Sequence, residues 1–507
     1  MNFIYSKRNL VILLIIVGVI LRFSYYNDGI WSDEWIAYFF SNPNVELSEN
    51  YYQFSLHEGA PTFNLFINYF WHTIFGYNYQ TTELLSIFSG IFFIILSLYF
   101  NSINYNQKLL FLFLIIINPM LIYYSGEIRF YSLSCLLSFL NLIIFYEIIQ
   151  KRTNIKTVLY ILTALISLSI NVYTISILIA QTLFCLFFKK DYKYLIYISI
   201  IFLIFFIINY NYLFNITSIY ANAAGISTGN FNFKFFIGFF FNIYFSDTYF
   251  GMFCLLFLLL FTIIYRTKII KNELLSLIYL VIIFSYLIPI SLAYFASSLL
   301  WPRHFLFIVP YILYLISFFI FQIKYTNLRN ILIIFIIFFS IFINFKDEKS
   351  YLVSKPNPEN VLKDILKSDI RKIYIENNLS NFIEDKYILS ETNKKIEDYD
   401  LDYLKIIKNY FYDKKRRSYS PGVIAFLFEE TIFIHSENYI SGEFTVFSNQ
   451  NSNILPSEFW TICLYEPLYK GSMNKNTRCL KNNFSQSHII LNSKKISQFL
   501  LRQYKKK

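Results

Sequence analysis

Residues 9–38, NLVILLIIVGVILRFSYYNDGIWSDEWIAY, combine an apolar run with an acidic pair, and together they predict a fold class and a site. The run at 9–25 approaches the roughly 20 apolar residues that are needed to cross a bilayer. Beyond it, Asp33 and Glu34 stand between two tryptophans. Tryptophan is enriched where lipid meets water, and an ionisable residue at membrane depth usually faces a cavity or a partner. We therefore expect both carboxylates at the membrane edge, either in a functional site or at the interface without a role.

The composition excludes a soluble protein of one or two domains. The chain has 507 residues, of which 56% are apolar and 15% are charged, a balance that is typical of a membrane protein. Residues 1–345 hold 18 Lys or Arg against 12 Asp or Glu, whereas the shorter part 346–507 holds 26 against 20. We predict a transmembrane domain at 1–345 and a water-soluble domain at 346–507. Because the charges are dispersed, the basic balance favours membrane lipids over nucleic acid as a partner, and solubility alone also explains it.

Eleven apolar segments are candidates for transmembrane helices. They cover residues 9–25, 81–100, 108–124, 130–149, 157–173, 174–188, 193–212, 249–265, 273–291, 303–322 and 328–345. The stretch 157–188 can also be one kinked helix. Lys and Arg are concentrated in every second loop, and because cytoplasmic loops are rich in these residues, the N-terminus is expected in the cytoplasm. This orientation predicts a multi-pass protein of the plasma (inner) membrane whose external loop 26–80 and C-terminal domain are extracytoplasmic.

The C-terminal part is expected to fold as a small soluble α/β domain. The segments KIYIE, GVIAFLFEE and TIFIHSE favour strands, and a helix is expected before them. Cys463 and Cys479 lie in this domain, and an extracytoplasmic compartment permits disulfides, so we expect a bridge between them. No cysteine or histidine spacing in the chain resembles a zinc site.

Three further polar clusters fall on the same predicted outer face as Asp33 and Glu34. They are His57-Glu58-Gly59-Ala60-Pro61, the turn Tyr124-Ser125-Gly126-Glu127-Ile128-Arg129-Phe130-Tyr131, and Trp301-Pro302-Arg303-His304. Each cluster also has a simpler interpretation. The histidine can be an ordinary loop residue, the first arginine can pair with the neighbouring glutamate, and the second can extend to lipid headgroups. Their convergence on one side of the membrane, where arginine is otherwise rare, favours a shared cavity.

The order of these motifs resembles the GT-C glycosyltransferases of the protein mannosyltransferase and aminoarabinose transferase superfamily. Over roughly residues 1–320, the matching stretches are SDEWIAY, the His-Glu-Gly-Ala-Pro loop before an amphipathic helix, ELLSIFSG, NPMLIYYSGEIRFYSL and RHFLFIVP. The resemblance implies a GT-C fold, a polyprenyl-phosphate-linked sugar as donor, and single displacement with inversion. The chain departs from the family in three places, because it lacks the His-Pro-Pro of the loop, has Glu83 where Arg is common, and has Val172 where His often precedes the tyrosine.

The resemblance also implies roles for individual residues. The acidic pair, Asp33 and Glu34, matches the carboxylates of the family's active site, one of which is proposed as base or acceptor ligand. The family's turn and late-span motifs match Glu127, Arg129, Tyr131, Arg303 and His304, with His57 as a further supporting residue.

The chemistry of the residues is consistent with this activity. The leaving group is a phosphate, which suits the forked donors of arginine. Arg129 and Arg303 are nearly the only cations expected on the outer face of the membrane domain, so we assign them to the donor phosphate. A carboxylate can orient or deprotonate an acceptor. The acceptor is left open among an envelope lipid, a glycan and a protein; no cofactor is certain, and a divalent metal is left open.

Other classes of protein remain as alternatives. A polytopic protein with charges at the membrane can be a transporter or lipid flippase, but transporters often have paired halves and Gly- or Pro-broken helices. This chain has 13 Gly and no internal repeat. The run Asp398-Tyr399-Asp400-Leu401-Asp402 matches the DxD motif of nucleotide-sugar enzymes, although its acidic surroundings favour a solvated surface. A scaffolding role has less support than transport.

A reporter enzyme fused after Lys346 should be active only outside the cytoplasm, because the predicted orientation places the C-terminal domain there. A fusion after Lys190, in a predicted cytoplasmic loop, is the control and should behave in the opposite way. Cytoplasmic activity of the Lys346 fusion would contradict the topology.

Overall fold

A computed structural model describes most of the first two thirds of the chain and parts of the last third. The described residues are 2–26, 34, 37–38, 40–48, 50–51, 54, 63–100, 104–190, 192–210, 213, 236–296, 302–345, 364–365, 367–368, 370, 372–375, 445–447, 457–464, 487–496 and 499–507. The chain divides into two compact units. The first comprises Met1–Asn27 and Ala37–Leu352, and the second comprises Asp28–Ile36 and Val353–Lys507.

Within the described residues, the first unit is built mainly from α-helices. In chain order they are α1 (Asn2–Arg22), α2 (Phe63–Phe75), α3 (Tyr79–Leu98), α4 (Tyr105–Ile117), α5 (Pro119–Tyr123), α6 (Tyr131–Gln150), α7 (Asn154–Ile170), α8 (Ile175–Phe184), α9 (Lys193–Ile208), α10 (Thr248–Ile264), α11 (Arg266–Lys271), α12 (Glu273–Ala296), α13 (Val309–Ile320) and α14 (Thr326–Phe345). Short 3-10 or π turns occur at Tyr124–Gly126, Val172–Thr174, Cys185–Lys189, Phe236–Phe241, Asn242–Phe245 and Pro302–Ile308.

Several of these helices are compatible with a membrane protein. Within the described residues, five helical segments are long and apolar enough to cross a membrane, or six if the bent pair α4 and α5 forms one span. The five are Gln80–Leu98, Tyr131–Gln150, Val172–Lys189, Pro302–Ile320 and Thr326–Phe345. Each predicted apolar segment overlaps a helix, and the stretch 157–188 forms two helices, whereas the count of eleven spans stays a prediction.

Side-chain caps define where several helices begin. The first backbone N–H groups of a helix have no partner within it, so a preceding polar side chain often accepts from them. Asn78 accepts from the N–H of Thr81 at the start of α3. Thr153 caps α7 and Asp247 caps α10 in the same way.

The segment formed by α4 and α5 is broken, with a bend of 55°. Pro119 explains the break, because it has no N–H to donate to the carbonyl of Ile115 and its ring disfavours a continuous helix. The guanidinium of Arg22 replaces the lost donor. It donates from Nη2 to the Ile115 carbonyl at 2.9 Å and from Nη1 to the Ile116 carbonyl at 3.0 Å. Arg22 is fully buried, so the end of α1 is attached to the break.

Two asparagines complete the polar contacts of this break. Asn344 on α14 donates to the carbonyl of Ile117 at 2.6 Å. Asn118 accepts from the N–H of Leu121 at 3.0 Å and donates to the carbonyl of Tyr244 at 2.9 Å. The interruption is thus bonded to segments that are far apart in sequence.

The described part of the second unit forms a five-stranded sheet with the order β2-β1-β3-β5-β4. Its strands are β1 (Lys372–Ile375), β2 (Thr445–Phe447), β3 (Glu458–Leu464), β4 (His488–Ile496) and β5 (Phe499–Lys506). β1 is parallel to β2 and β3, whereas β5 is antiparallel to β3 and β4. β1 confirms the strand predicted at KIYIE. The predicted strands GVIAFLFEE and TIFIHSE lie outside the described residues, and sequence patterns did not indicate β2, β3, β4 or β5.

The predicted disulfide cannot be followed in the described residues. Cys463 belongs to β3, whereas Cys479 lies outside them. The bridge therefore stays a prediction.

Polar contacts join a short segment with Asp364 and Ser368 to the sheet. Trp460 on β3 donates from Nε1 to the Ser368 hydroxyl at 2.9 Å. Asp364 accepts from Lys494 at 2.8 Å and from Lys367 at 2.9 Å. These two hydrogen bonds hold the pKa of the Asp364 carboxyl below its ordinary value. The stabilisation from these contacts is therefore complete at pH values above the ordinary aspartate pKa. It is lost as the pH falls through the lower pKa that Asp364 has in the folded protein.

Arg22→Leu should destabilise the helical unit by roughly 2–6 kcal/mol, because two buried carbonyls would each lose a donor at about 1–3 kcal/mol. Thermal unfolding can be followed by thiol labelling, since Cys135, Cys185 and Cys254 are free and buried. Arg8→Leu is the control, because Arg8 is exposed on the same helix. Equal unfolding midpoints for the two variants would contradict the role of Arg22.

Candidate functional site

The first element of the candidate site is the turn between α5 and α6. Glu127 and Arg129 lie in this turn and are buried, with 3% and 7% of their surfaces exposed. The N–H of Arg129 donates to the carbonyl of Glu127 at 2.7 Å, which makes the turn tight. Ser86 on α3 donates its hydroxyl to the Arg129 carbonyl at 3.3 Å. The main chain at Arg129 is therefore held by its own turn and by α3.

Two glycines allow neighbouring helices to approach this turn closely. A Cβ atom on Gly126 would lie 2.8 Å from the Cβ of Tyr25, just beyond α1. A Cβ atom on Gly90, which belongs to α3, would lie 2.5 Å from the Ser125 hydroxyl and 3.1 Å from Cδ of Arg22. Any side chain at either glycine would push the turn away from α1 or α3.

The second element is the 3-10 turn Pro302–Ile308, which carries Arg303. The Cζ atom of Arg303 lies 5.9 Å from the ring centre of Tyr131, within the range of a cation–π contact. The Cζ atom of Arg129 lies 5.4 Å from the ring centre of Phe130. The rings of Phe130 and Tyr131 are neighbours, with centres 4.8 Å apart. The two arginines of the predicted phosphate site thus lie over adjacent rings.

The ring of His304 packs against the same aromatic group. It stacks on Tyr131 with ring centres 5.9 Å apart and an angle of 22°. Its centre lies 5.8 Å from that of Tyr173 and 6.2 Å from that of Phe130. These three aromatic residues are almost fully buried, whereas His304 is partly exposed. His304 therefore lies at the surface of a buried aromatic cluster.

The third element is the break between α7 and α8, where Asn171 stands. The side-chain amide of Asn171 donates to the carbonyl of His304 at 2.8 Å and to the hydroxyl of Ser134 at 3.1 Å. Sequence patterns did not indicate Asn171, because its partner His304 is 133 residues away. A polar residue at the boundary of two apolar segments was the one available signal.

Five predicted site residues belong to this part of the structure: Glu127, Arg129, Tyr131, Arg303 and His304. Asp33 and His57 lie outside the described residues. Glu34 has 1% of its surface exposed, and it belongs to the second unit. The catalytic role of the acidic pair therefore stays a prediction.

Two buried charged residues at this end of the helical unit were not predicted as site residues. Arg22 bonds to the break in α4, and it was hidden in a run that looked purely apolar. Glu83 on α3 is fully buried, one turn before Ser86. Burial, and then the charge of Glu83, raise the pKa of the Tyr26 phenol. Among the residues that the structure describes, no group of three or more His, Cys, Asp or Glu could hold a metal ion.

The helix α2 lies within the predicted external loop and buries a second histidine. Nδ1 of His72 lies 2.9 Å from the carbonyl of Ser41, and Nε2 lies 2.5 Å from the hydroxyl of Thr82. Burial lowers the pKa of His72, although the bond to Ser41 acts in the opposite direction. Because a carbonyl can only accept, Nδ1 carries the proton in the neutral ring and Nε2 accepts from Thr82. His72 therefore bonds the loop to the start of α3.

The other side of α2 is apolar and exposed. Phe70, Ile74 and Phe75 have 57%, 72% and 54% of their surfaces exposed, whereas Asn68 and His72 are buried. The distribution is that of a helix whose apolar side contacts lipid at a membrane surface. The structure thus has an amphipathic helix after the His-Glu-Gly-Ala-Pro loop, as the resemblance implies.

No model of a known protein family matches this chain, and no curated protein matches its sequence. The fold defines a mostly α-helical protein with several helices that could cross a membrane and a small C-terminal sheet. The site defined above is a group of arginine and histidine side chains that pack on buried aromatic rings at one end of the helical unit.

Proposed function

We propose that this chain is an integral-membrane glycosyltransferase of the GT-C type. It moves a sugar from a polyprenyl-phosphate donor to an envelope lipid, a glycan or a protein at the extracytoplasmic face of the plasma membrane. The observation that carries the proposal is the position of Arg129 and Arg303, whose guanidinium groups lie over adjacent rings. The order of the sequence motifs supports the same activity.

The arrangement of the two arginines favours a phosphate ligand. Their guanidinium groups lie over the neighbouring rings of Phe130 and Tyr131. A phosphate bound by Arg129 and Arg303 would accept forked, charge-assisted hydrogen bonds from both. These interactions would be strongest when the phosphate carries most charge.

The charge of the phosphate rises during the proposed reaction. The donor is a phosphodiester with one negative charge, and the bond between the anomeric carbon and the phosphate oxygen breaks as the sugar leaves. Polyprenyl monophosphate then carries the electron pair of that bond. Arg129 and Arg303 would therefore bind the departing phosphate more strongly than the donor, which lowers the barrier.

The acceptor must lose a proton in the same reaction. Its hydroxyl or amine attacks the anomeric carbon from the side opposite the phosphate, so the configuration inverts and no covalent sugar–enzyme intermediate forms. In this proposal, Asp33 or Glu34 accepts the proton as a general base. The aromatic residues that pack against His304, namely Phe130, Tyr131 and Tyr173, would hold Arg129 and Arg303 in place.

The first experiment measures transfer of labelled sugar from a polyprenyl-phosphate donor to an envelope extract by the purified protein in lipid nanodiscs. Arg129→Lys and Arg303→Lys should each lower transfer by about 10-fold or more, because lysine keeps the charge and loses the fork. Arg329→Lys is the matched control. Arg329 also lies over a ring, 5.7 Å from the centre of Phe321, but outside the cluster, so its variant should keep wild-type activity.

A different result would point to transport. If the wild-type protein yields no glycosyl product with any lipid-linked sugar, and instead moves a lipid or solute in response to a gradient, the proposed activity is wrong. Wild-type activity in both Arg129→Lys and Arg303→Lys would remove these residues from the donor site.

The second experiment concerns the acidic pair. Asp33→Asn is nearly isosteric but is a poor proton acceptor, so transfer should fall by about 10²-fold while donor binding is retained. Glu34→Gln should be milder if Glu34 only supports its neighbour. Asp28→Asn, in the same loop but outside the pair, is the control. Full activity of Asp33→Asn would exclude Asp33 as the base.

A further inference from the structure

The main-chain N–H and carbonyl of Asn171 are both bonded within the break, which leaves its side-chain amide to make the other contacts. Asn171 is extended, with φ of −142° and ψ of 104°, between Ile170 and the turn Val172–Thr174. Its N–H donates to the carbonyl of Ser167 at 2.9 Å, and its carbonyl accepts from the N–H of Thr174 at 3.0 Å. The backbone groups of Asn171 are therefore satisfied locally.

The side-chain amide joins three parts of the helical unit. Its Nδ2 donates to the carbonyl of His304 at 2.8 Å and to the hydroxyl of Ser134 at 3.1 Å. Its Oδ1 accepts from the N–H of Tyr173 at 3.1 Å. Only 2% of the surface of Asn171 is exposed, so water does not compete for these bonds. A single amide thus links α6, the Val172–Thr174 turn and the turn that carries Arg303.

Two of these bonds fix the residues that support the proposed phosphate site. His304 and Tyr173 have rings in contact, and Asn171 holds the main chain of both, one at its carbonyl and the other at its N–H. Arg303 directly precedes His304 and lies over Tyr131, on which His304 stacks. A shift of the His304 carbonyl would therefore move the start of the Arg303 side chain.

We infer that Asn171 is the positioning residue of the donor-phosphate site and acts through Arg303. This inference rests on the proposed function. Displacement of a binding group by about 1 Å can lower a rate by about 10²-fold. Asn171 would not contact the sugar or the phosphate itself. Replacement of Asn171 should therefore lower only the contribution of Arg303 to binding of the donor phosphate.

The test compares two buried amides. Asn171→Ser keeps an oxygen that can accept from the N–H of Tyr173 but is too short to reach the His304 carbonyl. Asn141→Ser is the matched control, because Asn141 is also 2% exposed and its amide also makes three hydrogen bonds. Those bonds join α6 to α7 and α8, without a contact to Arg303 or His304.

Both variants should lose similar thermal stability, whereas only Asn171→Ser should lower kcat/KM for the lipid-linked donor, by about 10- to 100-fold. KM for the acceptor should stay unchanged. Each variant is then combined with Arg303→Lys. Asn171→Ser should add little to the loss caused by Arg303→Lys, because residues that act as one unit are not additive. Asn141→Ser should be additive.

Three results would overturn the inference. Activity per folded molecule of Asn171→Ser equal to that of Asn141→Ser would show a structural role only. Full additivity with Arg303→Lys would show that Asn171 does not act through Arg303.

If Asn171→Ser does not fold, Asn171→Thr, which keeps the same acceptor, is judged by the same two criteria. Absence of transfer by the wild-type protein would instead reject the proposed function, and the inference with it.

Discussion

The helical unit depends most on the two hydrogen bonds from Arg22 to the carbonyls at the end of α4. In hydrocarbon, a backbone carbonyl without a donor is strongly unfavourable, so a helix can be interrupted there only if another group replaces the lost bonds. Because Arg22 ends α1, the same bonds attach the first helix to the interruption. The turn with Glu127 and Arg129 follows α5 directly, so its position depends on where the helix is broken. The position of the site therefore depends on the break after α4, whose carbonyls accept hydrogen bonds from Arg22.

Asparagine has the same double use at both interruptions near the site. At each break, Oδ1 accepts from an N–H of the next helical turn, in Asn118 from Leu121 and in Asn171 from Tyr173. Nδ2 then donates to a carbonyl far along the chain, 126 residues away for Asn118 and 133 for Asn171. One amide thereby caps the helical turn that follows the break and bonds the break to a distant segment of the chain. One side chain thus satisfies two buried groups at each break, an N–H of the next helical turn and a carbonyl far along the chain.

The sequence predicted the helices because they rest on runs of apolar residues. It assigned Arg129 and Arg303 to one site because arginine is rare on that predicted face; the structure has them over adjacent rings, while their role as phosphate ligands stays a prediction. It could not predict Arg22, whose partners are carbonyls and leave no mark in the sequence. Asn171 was missed for a related reason, since an asparagine between two apolar segments looks like a simple boundary. β4 was missed because HIILNSKKI lacks strict alternation, and the structure has a register shift between Ile490 and Asn492 in that strand. The relation of the acidic pair to the arginines depends on Asp33, which lies outside the described residues, and no local pattern defines it.

The exposed side of α2 has a consequence for extraction of the protein from its native surroundings. Phe70, Ile74 and Phe75 face outward, whereas Leu65, Asn68 and His72 face the protein, so on its outer side the hydrophobic effect does not act between this helix and the rest of the chain. It presses the helix against whatever amphiphile surrounds it. A detergent that covers these three side chains poorly would release α2 first, and the loop bonded through His72 would lose its support while the helical core stayed folded. Purified protein could then look well folded by thermal unfolding and still be inactive, and the remedy would be added lipid, not a stabilising mutation.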